Sequence, residues 1–325
     1  MERKYVLFSF FLIFFGANHA QTLDSLTKKT KEATPRQSLL PSDSLSIFQL
    51  IDSLVQMPEL FDAGSSFVAR LGYNSNINSS NESLNLGQYG LTVGTSYYHK
   101  TGLYLDATAY WSQEYSPSLY LTIGSAGYMK TVKKWTFNAE YSRYFYSFSD
   151  STYNTPYTNT LGLSNYFDVK PFLFRLDYAL YFGSKTVNRI TPAVMLNFEK
   201  KNWLGMNRVL IYPSFNVLLG NETWQLYQPY STRLAEMIYR VSHHLPLYYL
   251  QDNNKFGVLN YALTLPISIS IKNWTYLISY TYNFPQALPG EQLGLTNSGY
   301  LSLSLIRYFN FKSRAGLIDF YKLPK

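Results

Sequence analysis

Ser242, His243 and His244 stand side by side, with Glu236 and Asp252 close by in the chain. Serine, imidazole and carboxylate are the groups that nucleophilic hydrolysis uses. That chemistry needs the base within hydrogen-bond reach of the nucleophile and a third group to orient the base. Three consecutive residues on a solvent-facing segment do not supply this geometry, so a lipid hydrolase is the third reading here, and no catalytic residue is assigned. Adjacent histidines on a loop meet solvent more often than metal, and no metal ligand is assigned either. Of the remaining histidines, His19 belongs to the N-terminal segment and His99 precedes the turn Lys100-Thr101, where a polar interfacial residue is expected. The chain has no cysteine, which removes disulfides, thiolate metal sites and lipoprotein acylation. No glycine-rich phosphate loop opens a helix, so no nucleotide or other cofactor is expected.

A second set of charged residues is set out differently. Arg70, Asp106, Glu140, Arg175, Asp177, Arg189 and Glu199 fall on the lumen face of an alternating pattern, opposite its apolar positions. Leu103, Leu105, Ala107, Ala109 and Trp111 alternate with Tyr104, Asp106, Thr108 and Tyr110, while Phe172, Phe174, Leu176, Tyr178, Leu180 and Phe182 alternate with Arg175 and Asp177. Successive side chains of a strand point to opposite sides, so each segment has one greasy and one polar face. The clearest places Leu259, Tyr261, Leu263, Leu265, Ile267, Ile269 and Ile271 on the greasy side. Pro266 lies within this segment and implies a bulge, because it cannot donate to the ladder. Arg143 and Arg307 would point with the greasy residues, which a bulge or snorkelling to an interface would accommodate.

Composition says which solvent the greasy face meets. Aromatic residues make up 18% of the chain and charged residues 15%, against about 25% charged in ordinary soluble domains. After the N-terminus no run of about 18 apolar residues occurs, so a membrane protein of this composition must cross with strands closed into a barrel. Twelve strands are expected, at 66–74, 87–99, 102–112, 119–131, 135–148, 158–168, 172–182, 188–199, 207–219, 256–271, 274–284 and 298–310. Tight links alternate with longer ones at 75–86, 149–157, 220–255 and 285–297. This is the plan of an all-β, transmembrane, up-and-down antiparallel barrel with both termini periplasmic. Trp135 and Trp274 each follow a Lys-containing turn, as an aromatic girdle requires.

The flanks read separately. Residues 1–20 have the charged start, apolar run and small-residue end of a signal peptide. Its loss takes two positive charges and one negative, so the formal net charge of +8 becomes +7. The excess comes from lysines in the short turns, including Lys100, Lys133, Lys134, Lys170, Lys200, Lys201 and Lys272; these suit lipid headgroups rather than nucleic acid. Residues 21–64 form a periplasmic lead-in, in which Ile47, Leu50, Ile51, Leu54 and Val55 mark one face of a short helix within 43–55 that offers a surface to a periplasmic partner. The barrel occupies 65–312 and a periplasmic tail 313–325.

The link 220–255 exceeds the length that structureless loops ordinarily reach. It carries Trp224, Tyr227, Tyr230, Tyr239, His243, His244, Tyr248 and Tyr249 as candidates for binding a glycan, lipid or partner. Ser231 is placed to cap a helix over Leu234, Ile238 and Val241. Folded inward, the loop would constrict the lumen; held outward, it would present an aromatic surface.

Three segments carry a resemblance: Tyr73-Asn-Ser-Asn76, the run from Tyr89 to Asp106, and the run from Tyr280 to Glu291. They resemble uncharacterised outer-membrane barrel proteins of Bacteroidota, over the chain from about Ile47 onward. The resemblance implies fold and location, and no activity comes with it. The expectation is an integral outer-membrane barrel, not an enzyme, acting as a narrow pore for small solutes with Arg70, Asp106, Glu140, Arg175, Asp177, Arg189 and Glu199 lining it. The alternative is a surface-binding or structural role through 220–255. Outer-membrane lipids are the expected partner.

Overall fold

A computed structural model describes residues 65–75, 89–113, 115–147, 157–289 and 295–311, with backbone alone at 223–227, 250, 252–253 and 310–311. The signal segment, the lead-in with its helix at 43–55 and the tail 313–325 lie outside the described residues, as do the side chains of Trp224 and Tyr227.

The alternating segments form fourteen strands: β1 (Ser65–Asn74), β2 (Gly90–Tyr98), β3 (Leu103–Trp111), β4 (Leu119–Val132), β5 (Trp135–Tyr146), β6 (Tyr157–Val169), β7 (Phe172–Gly183), β8 (Thr186–Leu196), β9 (Phe198–Trp203), β10 (Met206–Ile211), β11 (Ser214–Pro229), β12 (Tyr248–Ile271), β13 (Trp274–Pro285) and β14 (Ser298–Phe311). All pair antiparallel with their neighbours, and β1 pairs β14 from Ser65↔Phe311 to Asn74↔Ser302, which closes the sheet. β8 and β9 lie in one register against β10 and β11, so each pair is a single crossing and the barrel has twelve. Closure removes the open edges that a sheet would otherwise present.

Two prolines account for the interrupted crossings. Pro266 keeps its register with Ser279 on β13 and shows no bulge of its own. On its other side its carbonyl accepts the Tyr212 N–H at 3.2 Å, but it has no N–H to return, and the neighbouring crossing breaks there. Pro213 repeats the effect one strand further on: it accepts from the Leu196 N–H at 3.0 Å and gives nothing back, beside the break between β8 and β9. The bulge lies elsewhere, where Leu218 pairs Asn260 but Leu219 pairs Val258. The extra residue, Leu259, thereby turns from the greasy face to the interior and is fully buried, against the expectation from strict alternation.

The outer wall is apolar and the inner wall polar. Leu103, Leu105, Phe145, Phe174, Leu176 and Leu263 are all exposed, whereas Ser96, Ser142, Arg175, Thr275, Ser279 and Thr281 are buried. A soluble protein reverses this order. A closed strand barrel with a greasy outside pairs its strands with one another all the way round, which is what hydrocarbon demands of a spanning structure. Interior packing comes in wall-lining clusters, one around Tyr110, Leu121, Ile123 and Tyr144, one around Met195, Leu210 and Leu277, and one around Val68, Tyr104, Met129 and Ile306.

The two outward arginines are accommodated in different ways. Arg307 stacks 4.8 Å from the Trp274 ring and 4.9 Å from Phe309, beside the Lys272 turn. Arg143 Nη1 donates to Asn159 Oδ1 at 2.8 Å, next to the bulge between Tyr157 and Asn159.

Two expectations about the ends change. Lys200 and Lys201 belong to β9, and the reversal is at Leu204-Gly205, both at positive φ. The link 220–255 is mostly strand: β11 and β12 stay paired from Leu219↔Val258 to Pro229↔Tyr248, an arm of roughly 35 Å at strand rise. Pairing of β11 with β8 ends at Gly220, and β12 with β13 ends at Asn260, so neither edge of the arm has a partner strand among the described residues. Its tip carries α1 (Leu234–Ser242), none of whose residues is buried. Leu234, Ile238 and Val241 are 73%, 59% and 58% exposed, which rules out a plug lodged in the lumen. Arg233 is the N-cap residue, and Ser231 Oγ accepts its N–H at 3.1 Å rather than capping the helix directly.

Candidate functional site in the barrel lumen

Three rows of inward side chains meet around one cavity of about 140 Å³. In the first, Arg70 on β1 crosses Gly94 on β2 to form an ion pair with Asp106 on β3 and to donate to Thr108 Oγ1 at 3.2 Å. Asp106 also accepts from Ser96 Oγ at 2.6 Å and Thr108 Oγ1 at 2.9 Å, so its carboxylate is held by three groups. A Cβ on Gly94 would lie 2.7 Å from Thr108 Oγ1 and 3.1 Å from Arg70 Nη2; the crossing needs a residue without a side chain.

The second row repeats the device. Tyr104 on β3 pairs Gly127 on β4, which pairs Glu140 on β5. The phenol lies across the glycine, where any Cβ would overlap it, and its hydroxyl donates to Glu140 Oε2 at 2.5 Å. Ser142 Oγ donates to the other oxygen at 2.9 Å. Hydrogen bonds to an ionised acceptor are short and strong, and here uncharged hydroxyls supply both.

The third row is on β7. Arg175 Nε lies 2.9 Å from Asp177 Oδ2, and Arg175 Nη2 donates to Asn216 Oδ1 on β11 at 3.3 Å. Tyr98, Tyr144, Tyr166 and Tyr181 complete the cavity wall. A smaller space of about 20 Å³, with room for about one water, lies beside it between Arg70, Thr92, Tyr110 and Leu277.

Five of the seven charged residues singled out from the sequence therefore line one cavity, and two do not. Arg189 forms a buried ion pair with Glu222 where the arm leaves the rim, and also donates to the Asn221 carbonyl at 2.7 Å. Glu199 Oε1 lies 2.7 Å from Arg208 Nε as an ion pair beside the Leu204 turn, with Lys201 Nζ at 3.6 Å. At these two places opposite charges pair locally, as desolvation requires.

Several participants lie outside the seven charged positions. Glu222 falls within the link 220–255, where no greasy face marks the inward positions, whereas Arg208 alternates with Leu210 and Tyr212 and faces inward. Gly94, Gly127 and Gly220 left a readable signal: a glycine at an inward strand position, where the neighbouring strand carries a long polar side chain, marks a crossing.

On the arm, the aromatic candidates fall into two groups. Tyr230 and Tyr249 have ring centroids 5.1 Å apart with the Arg240 guanidinium 4.0 Å over Tyr230, while Tyr239 sits 4.1 Å from the His243 ring. Tyr248 and His244 are exposed. Ser242 Oγ is 3.0 Å from His243 Nδ1, but that nitrogen is also 2.9 Å from the Tyr239 carbonyl. The Ser242 hydroxyl donates to that same carbonyl at 2.8 Å rather than being held by the imidazole alone, and no third group among the described residues orients the ring as a base. Among the described residues no group of three His, Cys, Asp or Glu side chains converges as a metal site would require. His99 Nδ1 is 2.8 Å from Thr101 Oγ1, within its own turn.

No family model and no curated protein matches the chain. Among solved structures it is similar to a KdgM porin, at 11% identity and a TM-score of 0.41 over 75% of this chain and 99% of that one. A NanC porin matches at 12% identity and 0.41 over 75% and 99%. A structure described as a bacterial polysaccharide outer membrane secretin matches at 10% identity and 0.37 over 77% and 99%.

Proposed function

We propose that this protein is a non-enzymatic, integral outer-membrane barrel whose lumen is a narrow pore for small polar solutes. The observation that carries this reading is the pairing of an apolar outer wall with a polar lumen, in which five charged side chains border one cavity. The same pattern supports outer-membrane lipids as the partner of the outer wall. Alternation of two-residue turns with longer links supports periplasmic termini, and residues 43–55 as a periplasmic contact belong to the same proposal. Kinship with the Bacteroidota barrels rests on the segments at Tyr73, Tyr89 and Tyr280.

A second reading, binding at the cell surface through the arm, is favoured by the exposed apolar residues of α1 and the Tyr230–Tyr249–Arg240 cluster. Single-channel recording separates the two. The refolded protein in planar bilayers should conduct, and replacing residues 230–247 by a two-residue turn should leave its conductance unchanged, because the tip buries none of its helix. A silent full-length barrel refutes the pore and leaves the arm as the functional element.

A further inference from the structure

The cavity is bordered by two guanidiniums and three carboxylates. Both guanidiniums are committed, Arg70 to Asp106 and Arg175 to Asp177. Glu140 is the carboxylate left over: its oxygens are held by the Tyr104 and Ser142 hydroxyls, and no ammonium or guanidinium group among the described residues lies within ion-pair distance of it. Uncharged donors fix a carboxylate in place without cancelling its charge. On the premise that the lumen conducts, we propose that Glu140 makes the pore select for small cations and is its selectivity-determining residue.

The chain as a whole argues for the opposite sign, since its formal net charge is +8. Screening decides which charge governs the passing ion. Lys100, Lys133, Lys134, Lys170 and Lys272 are exposed at the short turns, where the Debye length is about 10 Å at 0.1 M salt and about 3 Å at 1 M. Their field is confined to the mouth. Glu140 faces a cavity enclosed by protein, where an ion approaches with little intervening salt and a lower effective dielectric. The arrangement on either side reinforces this: each neighbouring guanidinium is neutralised by its own aspartate, so neither offers a compensating charge to the permeating ion.

The test is the reversal potential of the full chain, refolded in planar bilayers, across a tenfold KCl gradient ending at 1 M. The wild type should prefer potassium over chloride. Glu140→Gln keeps the size and hydrogen-bond acceptor of the side chain while removing its charge, and should lower the permeability ratio by on the order of tenfold. Lys100→Gln combined with Lys134→Gln should leave the ratio unchanged at high salt. A wild type that prefers chloride overturns the proposal whether or not the variant refolds. An unchanged ratio in Glu140→Gln also overturns it. Either result leaves the pore itself standing, whereas a wild type that never conducts overturns both.

Discussion

Gly127→Ala should disrupt the lumen more than its size suggests. Gly127 stands in register between Tyr104 and Glu140, and a methyl group there would overlap the phenol ring. The strands on both sides are fixed by their ladders, so the ring must swing away and lose its 2.5 Å bond to Glu140. A hydrogen bond to a charged group is worth about 1.5–3 kcal/mol, and overpacking costs about 1–3 kcal/mol. Against these, replacing glycine restrains the unfolded chain and returns about 0.4–1 kcal/mol. The balance is a loss of about 2–5 kcal/mol. Gly124→Ala on the same strand is the control, because the nearest atom to its Cβ is Phe145 Cε2 at an ordinary 3.8 Å; there only the entropic gain should remain. Equilibrium urea unfolding in lipid vesicles, followed by tryptophan fluorescence, reads both variants. In a Tyr104→Ala background the penalty of Gly127→Ala should vanish, giving a coupling of about 2 kcal/mol or more. Equal stabilities for Gly127→Ala and Gly124→Ala would refute the reasoning.

Arg189→Met should cost about 3–5 kcal/mol in the same assay, because it strands the buried Glu222 carboxylate, and Glu222→Gln in the same chain should recover part of the loss. Arg307→Gln removes two ring contacts beside the Lys272 turn and should cost about 0.5–2 kcal/mol. Leu234→Ser with Ile238→Ser should shift barrel stability by no more than about 0.5 kcal/mol, since both side chains are exposed at the tip of the arm.

The barrel was legible because lipid imposes a strict template. Residues such as Leu103, Leu105, Phe172 and Phe174 must face hydrocarbon, so every second position is constrained and the twelve crossings stand out. The arm was not legible for the same reason: beyond the bilayer no face need be greasy, and β11 past Gly220 ceases to follow the template although it continues as a strand. Leu259 shows a further limit, since one extra residue at a bulge reverses inside and outside without changing composition. Charged lumen positions could be read from alternation, but their partners could not. Tyr104 and Glu140 are 36 residues apart, and they meet only because the registers of β3, β4 and β5 place Gly127 between them. Arg189 and Glu199 share an inward face with the cavity residues, yet they lie nearer the two ends, and height within the barrel depends on stagger that no single strand encodes.

The absence of cysteine from the chain allows the pore to be probed one position at a time. Ser164→Cys places a thiol on the cavity wall and Leu163→Cys places one on the exposed outer face, one residue apart on the same strand. During single-channel recording a charged, membrane-impermeant thiol reagent should reduce the current through Ser164→Cys and leave that through Leu163→Cys unchanged. Current insensitive to modification at Ser164→Cys, or blocked instead at Leu163→Cys, would contradict a path through this lumen.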